Sequence, residues 1–505
     1  MLKRVIALSI VSVFAFSGCN VTIDIAEDTT SNIILSVPDE SDISETEIIL
    51  SDSNITVNGD SISTNESSAV YAANDIIYYE SGKDASYGEG AEEDAHTAEE
   101  AAAHTVVHIT KSGTYRLSGS LTQGQIFVDL GDNAKDDPSA VVTLVLDGVD
   151  ISCTVAPAVF FYNVYECGTK DEAAATATVD TSAAGANVVI ANDSINTVNG
   201  AYVARIYSPD TTDSLHKYDG AFYSKQSLNI NGENNGSGVL HINATNEGLD
   251  SEMHLTINGG NITITAENDG INTNEDNVSV TTINGGALTI NAGIGEEGDG
   301  IDSNGFLVIN GGALITSSCD RGPDGGIDAD RDIIINGGTV MACGNQNGTV
   351  SNESGQAFMQ ISVQNAIPAG ATVKVVDGEN TLTQFTTIKS CTSLVLSLPS
   401  FEEGKMYTLN VNGENVEYTK SGGFGIGGMD GMPPPIGGEG FERPHMQGGR
   451  FEMPTVPEGL DEWLENTEMP DEIRQWIESM KEIITPFENR GNNMQPRENM
   501  KAPNA

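Results

Sequence analysis

Four short segments hold the residue types best suited to chemistry: NEGLDSE (246–252), NDGINTN (268–274), GDGIDSN (298–304) and DGGIDAD (324–330). Aligned on Gly248, Gly270, Gly300 and Gly326, they form columns. One column is Asp250, Asn272, Asp302 and Asp328. A second, just before the glycine, is Glu247, Asp269 and Asp299, with Asp324 displaced by one position. A third is Glu252, Asn274, Asn304 and Asp330. An earlier version, YDGAFYSK, supplies Asp219 and Gly220. Carboxylates, amide oxygens and turn carbonyls are the donors a hard cation such as calcium takes, six to eight at a time. The corners contain no His or Cys, which disfavours softer metals. The alternative is that Asp-Gly and Asn-Gly are simply good turn formers. It accounts well for any one corner and less well for paired acids at a fixed phase.

The elements that position these corners repeat. Asn-Gly-Gly begins at Asn258, Asn284, Asn310 and Asn336, a constant spacing of 26 residues, with a weaker copy at Asn231. A fixed period of this size marks a solenoid or array. Each period holds short β-type runs such as LTINGG and NITITA and no amphipathic helix. The expected fold is all-β, a parallel β-helix solenoid with a coil period of about 26 residues. The leucine-rich signature is missing, and the period excludes the calcium-binding nonapeptide repeat. Equivalent residues then stack about 4.8 Å apart. A carboxylate repeated in every coil becomes a column of mutually repelling charges. The stacked asparagines of the Asn-Gly-Gly turns predict a structural side-chain ladder.

Composition bounds the partners. The chain has 505 residues and a formal net charge of -50, from 73 acidic against 23 basic residues. Coulomb repulsion excludes nucleic acid and anionic surfaces as partners of the bare protein. Lys3 and Arg4, the apolar run Val5 to Phe16 and FSGCN around Cys19 resemble a bacterial lipoprotein signal. That resemblance implies cleavage of residues 1–18, lipidation of Cys19, and membrane attachment through the lipid at the bacterial cell surface. Residues 19–68, rich in Ser, Thr and acids, predict a flexible stalk. His96 and His104, in the acidic stretch 89–104, are expected to face solvent. The β-helix is expected over 69–345 and a C-terminal β segment, or small cap, over 346–420. A Gly/Pro/Met linker should follow over 421–455, then a partly helical tail over 456–505 broken at Pro470. Among the remaining cysteines, Cys153 and Cys167 are a conceivable pair in an oxidising exterior.

The string LTINGGNITITAENDGIN, continued by LTINAGIGEEGDGIDSNGFLVINGG, resembles the bacterial cell-surface carbohydrate-binding β-helix family. GTYRLSGSLTQGQIFVDL (113–130), LVLDGVDIS (144–152), NVVIANDSINTVNG (187–200) and residues 357–409 extend the likeness over about 70–415. The resemblance implies a right-handed parallel β-helix that binds calcium and polysaccharide without catalysis. It implies Asp250, Asp269, Asp299, Asp302, Asp328 and Asp330 as calcium ligands. Asn272 departs from Asp in its column, which weakens one site.

Three functions compete. The first is a calcium-dependent polysaccharide-binding module, for acidic glycans bridged by calcium or for neutral glucans on the strand face. Tyr202, Tyr207, Tyr218 and Tyr223 are its candidate sugar contacts. The second is a polysaccharide lyase or hydrolase. A lyase needs a strong base beside the metal, for which Arg321 is the best placed. A hydrolase needs two suitably spaced carboxylates. The third is an adhesin with no sugar specificity. The sequence fixes neither the glycan nor the number of calcium ions.

Overall fold

Alternation of branched apolar and small polar residues sets the strands. In Asn261–Ala266 every second residue is buried, placing Ile262, Ile264 and Ala266 inside. The computed structural model describes residues 45–80, 94–204 and 217–420, all in the first of two units, Met1–Gly428. Strand Asn261–Ala266 pairs in parallel with Ala287–Asn291, which pairs with Ala313–Ser317, which pairs with Thr339–Gly344. The register stacks Ile262, Leu288, Leu314 and Val340. A second parallel ladder stacks Ile230, Ile257, Ile283, Ile309 and Ile335. These side chains belong to one continuous apolar core. Full burial of each is worth about 1.5–3 kcal/mol.

The described chain is all-β, with one large sheet of mixed orientation, an eight-stranded sheet and a four-stranded sheet. The eight-stranded sheet runs from Val70–Ala73 to Ile301–Ser303 and is parallel except at its first pair. Past Thr339–Gly344 the orientation reverses: Cys391–Ser397 pairs antiparallel with it, and Phe358–Ile367 pairs antiparallel with Cys391–Ser397. This segment has its own core, including Met341, Ile361, Val373 and Leu394. It covers a parallel ladder edge that would otherwise expose unpaired amides. Among the described residues the α-helix is one short turn, Ala98–Ala102, capped reciprocally by Thr97 and Glu100.

The repeat has two physical causes. The corner glycines stack backbone on backbone. The amide of Gly248 donates to the carbonyl of Asp269 at 2.9 Å, and that of Gly270 to Asp299 at 2.9 Å. A Cβ on Gly270 would lie 2.2 Å from Ile290 and 2.6 Å from the Gly300 carbonyl. At the Asn-Gly-Gly turns, Gly260, Gly286, Gly312 and Gly338 have φ of +97°, +88°, +81° and +87°, a region side chains disfavour. The expected asparagine ladder is present there. Nδ2 of Asn258 donates to Oδ1 of Asn231 at 2.9 Å, and Asn284, Asn310 and Asn336 continue the chain at 2.8–2.9 Å.

Several expectations need correction. Residues 46–50, expected in the stalk, form a strand parallel to Gly113–Leu121, because Ile48 and Leu50 bury their side chains in the core. His104 is fully buried rather than solvent-facing. Its ring contacts the Glu100 carbonyl through Nδ1 at 2.9 Å and accepts the Thr154 amide through Nε2 at 3.2 Å. Cys153 and Cys167 are unpaired thiols. The signal segment, Cys19, the first half of the stalk, the linker and the helical tail lie outside the described residues. Replacing Gly270 with Ala is expected to cost about 1–3 kcal/mol through overpacking against Ile290 and the Gly300 carbonyl. A urea-unfolding midpoint lower than wild type checks this.

Candidate metal centre

The eight-stranded sheet carries one side-chain column from end to end. Tyr71, His108, Phe127, Phe160, Tyr223, Asp250, Asn272 and Asp302 are successive register partners. The early strands place rings in this column, with centroids 4.4 Å apart for Tyr71–His108 and 5.2 Å for Phe160–Tyr223. From Asp250 onward the same column carries oxygen donors. The parallel register therefore delivers the carboxylates to one line.

Two clusters result. Asp219, Glu247 and Asp250 are all buried, each offering an oxygen within 4.8 Å of the others. Asp299, Asp302 and Asp328 form a half-buried cluster of the same dimension. At that separation each like-charged pair costs about 3 kcal/mol in an effective dielectric near 20. In the first cluster Lys217 lies 3.3 Å from Asp219 and offsets part of the charge. Asn272 donates to Glu247 at 3.2 Å, and Asn274 to Asp250 at 2.9 Å. Glu247 Oε2, Asp250 Oδ2 and Asn272 Oδ1 remain buried with no hydrogen-bond donor. Buried acceptors without donors are costly. A hard cation fits this donor set, since it takes carboxylate and amide oxygens and cancels the charge.

Protonation is the competing remedy. Burial, then the Asp219 charge, pushes Glu247 up to about 8, although Lys217 opposes the shift. Burial, then Glu247 and Asp219, holds Asp250 well above the usual carboxylate range. Burial and the Glu247 charge do the same to Asp269. Burial and Asp269 push Asp299 up to about 9, and burial with Asp328 pushes Asp302 up to about 7. Each group is thus raised in the folded state relative to an unfolded value near 4. The folded chain then binds more protons than the unfolded chain between about pH 4 and 9. The stability these groups contribute to the metal-free chain is fully present below about pH 4 and is lost as pH rises from there to about 9. The melting temperature in chelator should fall over that window. Calcium should raise it most at the alkaline end, where no proton competes; thermal scans at several pH values check both.

The structure brings Asp250, Asp299, Asp302 and Asp328 into the two clusters. It leaves Asp269 and Asp330 outside them. Asp269 instead accepts the Asp299 amide at 2.6 Å. Asp330 is exposed, and its charge helps to raise Asp302. Asp219 and Glu247 enter as ligand candidates because they are buried, a property the corner alignment does not contain. The tyrosine expectation is corrected at two of its four positions. Tyr218 and Tyr223 are buried in ring contacts, and Tyr223 donates to Glu252 at 2.9 Å. Tyr202 donates to Asp94. Tyr207 lies outside the described residues. Arg321, the candidate base, is exposed and donates to the Ile294 carbonyl at 3.2 Å. Glu247→Gln combined with Asp250→Asn should weaken calcium binding roughly tenfold or more. Isothermal titration against the wild-type chain measures the loss.

A family model described as "Carbohydrate-binding domain-containing protein" matches residues 103–396. A carbohydrate-binding domain-containing protein of Acetivibrio thermocellus is 30% identical over 161 residues, which is 32% of this chain. The aligned part is 45% of that relative's length. A solved structure of a polysaccharide lyase-like protein from C. thermocellum, a gadolinium derivative, aligns with a TM-score of 0.37 at 21% identity. That alignment covers 62% of this chain and 92% of the other.

Proposed function

The chain belongs to the carbohydrate-binding domain-containing protein family, and from that premise we propose that it is a non-catalytic polysaccharide-binding protein built around calcium. The observation that carries the calcium part is the buried cluster Asp219, Glu247 and Asp250 with its donor-less oxygens. Asp219, Glu247, Asp250 and the Asn272 amide would hold one ion, and Asp299, Asp302 and Asp328 another. The chemistry a bound ion supplies is charge neutralisation and cross-linking of neighbouring coils. The chain's own residues do the rest: the glycine column sets the spacing, and Asn272 and Asn274 orient the carboxylates.

In this reading the stacked parallel ladders are coils of a right-handed parallel β-helix. The register advance of 26 residues at Ile257, Ile283, Ile309 and Ile335 supports it. Cys19 carries the lipid that holds the protein at the bacterial cell surface, with polysaccharide as its partner. Arg321 is spent on a backbone carbonyl, which supports the non-catalytic reading over a lyase.

Retention of the full chain on insoluble polysaccharide, with and without chelator, tests the proposal. Retention lost on chelation, with no sugar released, is the expected result. Release of unsaturated sugars would establish a lyase instead. Calcium stabilisation without retention on any polysaccharide would leave an adhesin.

A further inference from the structure

A second built surface lies on the large sheet. The outward positions of strands Leu228–Gly232, Leu255–Ile257, Val280–Ile283 and Phe306–Ile309 make a flat floor of Asn229, Thr256, Thr282 and Val308. The asparagine ladder runs along one side of it. Residues 177–183 rise as a wall on the other side, closing a groove of about 1020 Å³. This is the volume range of ligand clefts.

The wall is fixed before any ligand arrives. Ala175, Ala177 and Val179 pack on Val280, Phe306 and Val308. The Thr181 hydroxyl bonds Asn229 and Thr256, both at 2.7 Å, and Asn229 donates back to the Thr181 carbonyl at 2.8 Å. Lys170 pairs with Glu275 at the start of the same segment. A pre-formed groove spares the ordering cost of binding.

The ladder supplies the polar code. Each asparagine amide carries two N–H groups and an oxygen with two lone pairs. The ladder bonds use one N–H and one lone pair per residue. Asn258, Asn284 and Asn310 are exposed, so each coil offers one further donor and one further acceptor to the groove. These offers repeat at the strand spacing of about 4.8 Å along a straight line. An extended polymer with hydroxyls at regular intervals satisfies such a line; a compact ligand does not. Asp180 on the wall is the charged residue of the lining, and no Lys or Arg lines it.

We infer that this groove binds a neutral, extended polysaccharide chain lying across the strands, its hydroxyls on the Asn258–Asn284–Asn310 ladder. The inference rests on the carbohydrate-binding reading above and gives it a place and a ligand class. A polyuronate would meet Asp180 and the net negative chain with no cation in the groove.

The test uses the full chain and three probes: an insoluble β-glucan, a soluble neutral glucan and a polyuronate. Ala183→Trp, at an exposed wall position, narrows the groove without touching the core. Asn258→Ala with Asn284→Ala removes the ladder groups. Both variants should lose neutral-glucan retention about tenfold or more and keep the wild-type calcium-induced rise in melting temperature. Wild-type retention by Ala183→Trp overturns the inference and leaves the carbohydrate-binding reading standing. So does a wild-type chain that binds the polyuronate alone. A wild-type chain retained on none of the three probes overturns both.

Discussion

The main core and the side-chain columns of the described residues depend on strands that pair in parallel and in register, ladder after ladder. Parallel pairing places equivalent residues about 4.8 Å apart. Whatever a column contains is therefore multiplied. An isoleucine column becomes a core, as at Ile257, Ile283 and Ile309. An asparagine column becomes a hydrogen-bonded ladder. A carboxylate column becomes a concentration of acidic groups that burial and mutual repulsion push toward protonation. Only the last case opposes folding, and it does so increasingly as its carboxyls ionise.

The outward column of the eight-stranded sheet makes the contrast plain. Its first half is aromatic and its second half is oxygen-rich, on one continuous register. Tyr223 stands at the boundary. Its ring packs on Phe160 while its hydroxyl donates to Glu252. The same backbone geometry thus carries ring packing at one end and a concentration of oxygen donors at the other. The glycines beside the corners make both possible. With a Cβ at Gly248 or Gly270 neighbouring segments would be pushed apart, since the Gly270 or Gly300 carbonyl lies 2.5 or 2.6 Å away.

The two surfaces lie on different sheets. Charge concentrates on the eight-stranded sheet, whereas the Asn and Thr groove on the large sheet is nearly neutral. Loop 177–183 belongs to the second surface because it packs on Val280 and Phe306, not because of any motif it carries.

The sequence by itself determined the period, the all-β class, the asparagine ladder and the phase of the acidic corners. These follow from local spacing, and spacing survives in one dimension. It misplaced Ile48 and Leu50, whose apolar character in a Ser- and Asp-rich segment matters only once Gly113–Leu121 offers an edge. It offered Tyr218 and Tyr223 as surface residues, whereas burial against Phe160 decides their role. Among the acids it set the columns but not the membership of each cluster. Asp219 and Glu247 join Asp250 because all three are buried side by side, while Asp330, equally acidic and in phase, is exposed. Burial and the absence of a hydrogen-bond donor separate Glu247 and Asp250 from a solvated turn, and both exist only in the tertiary structure.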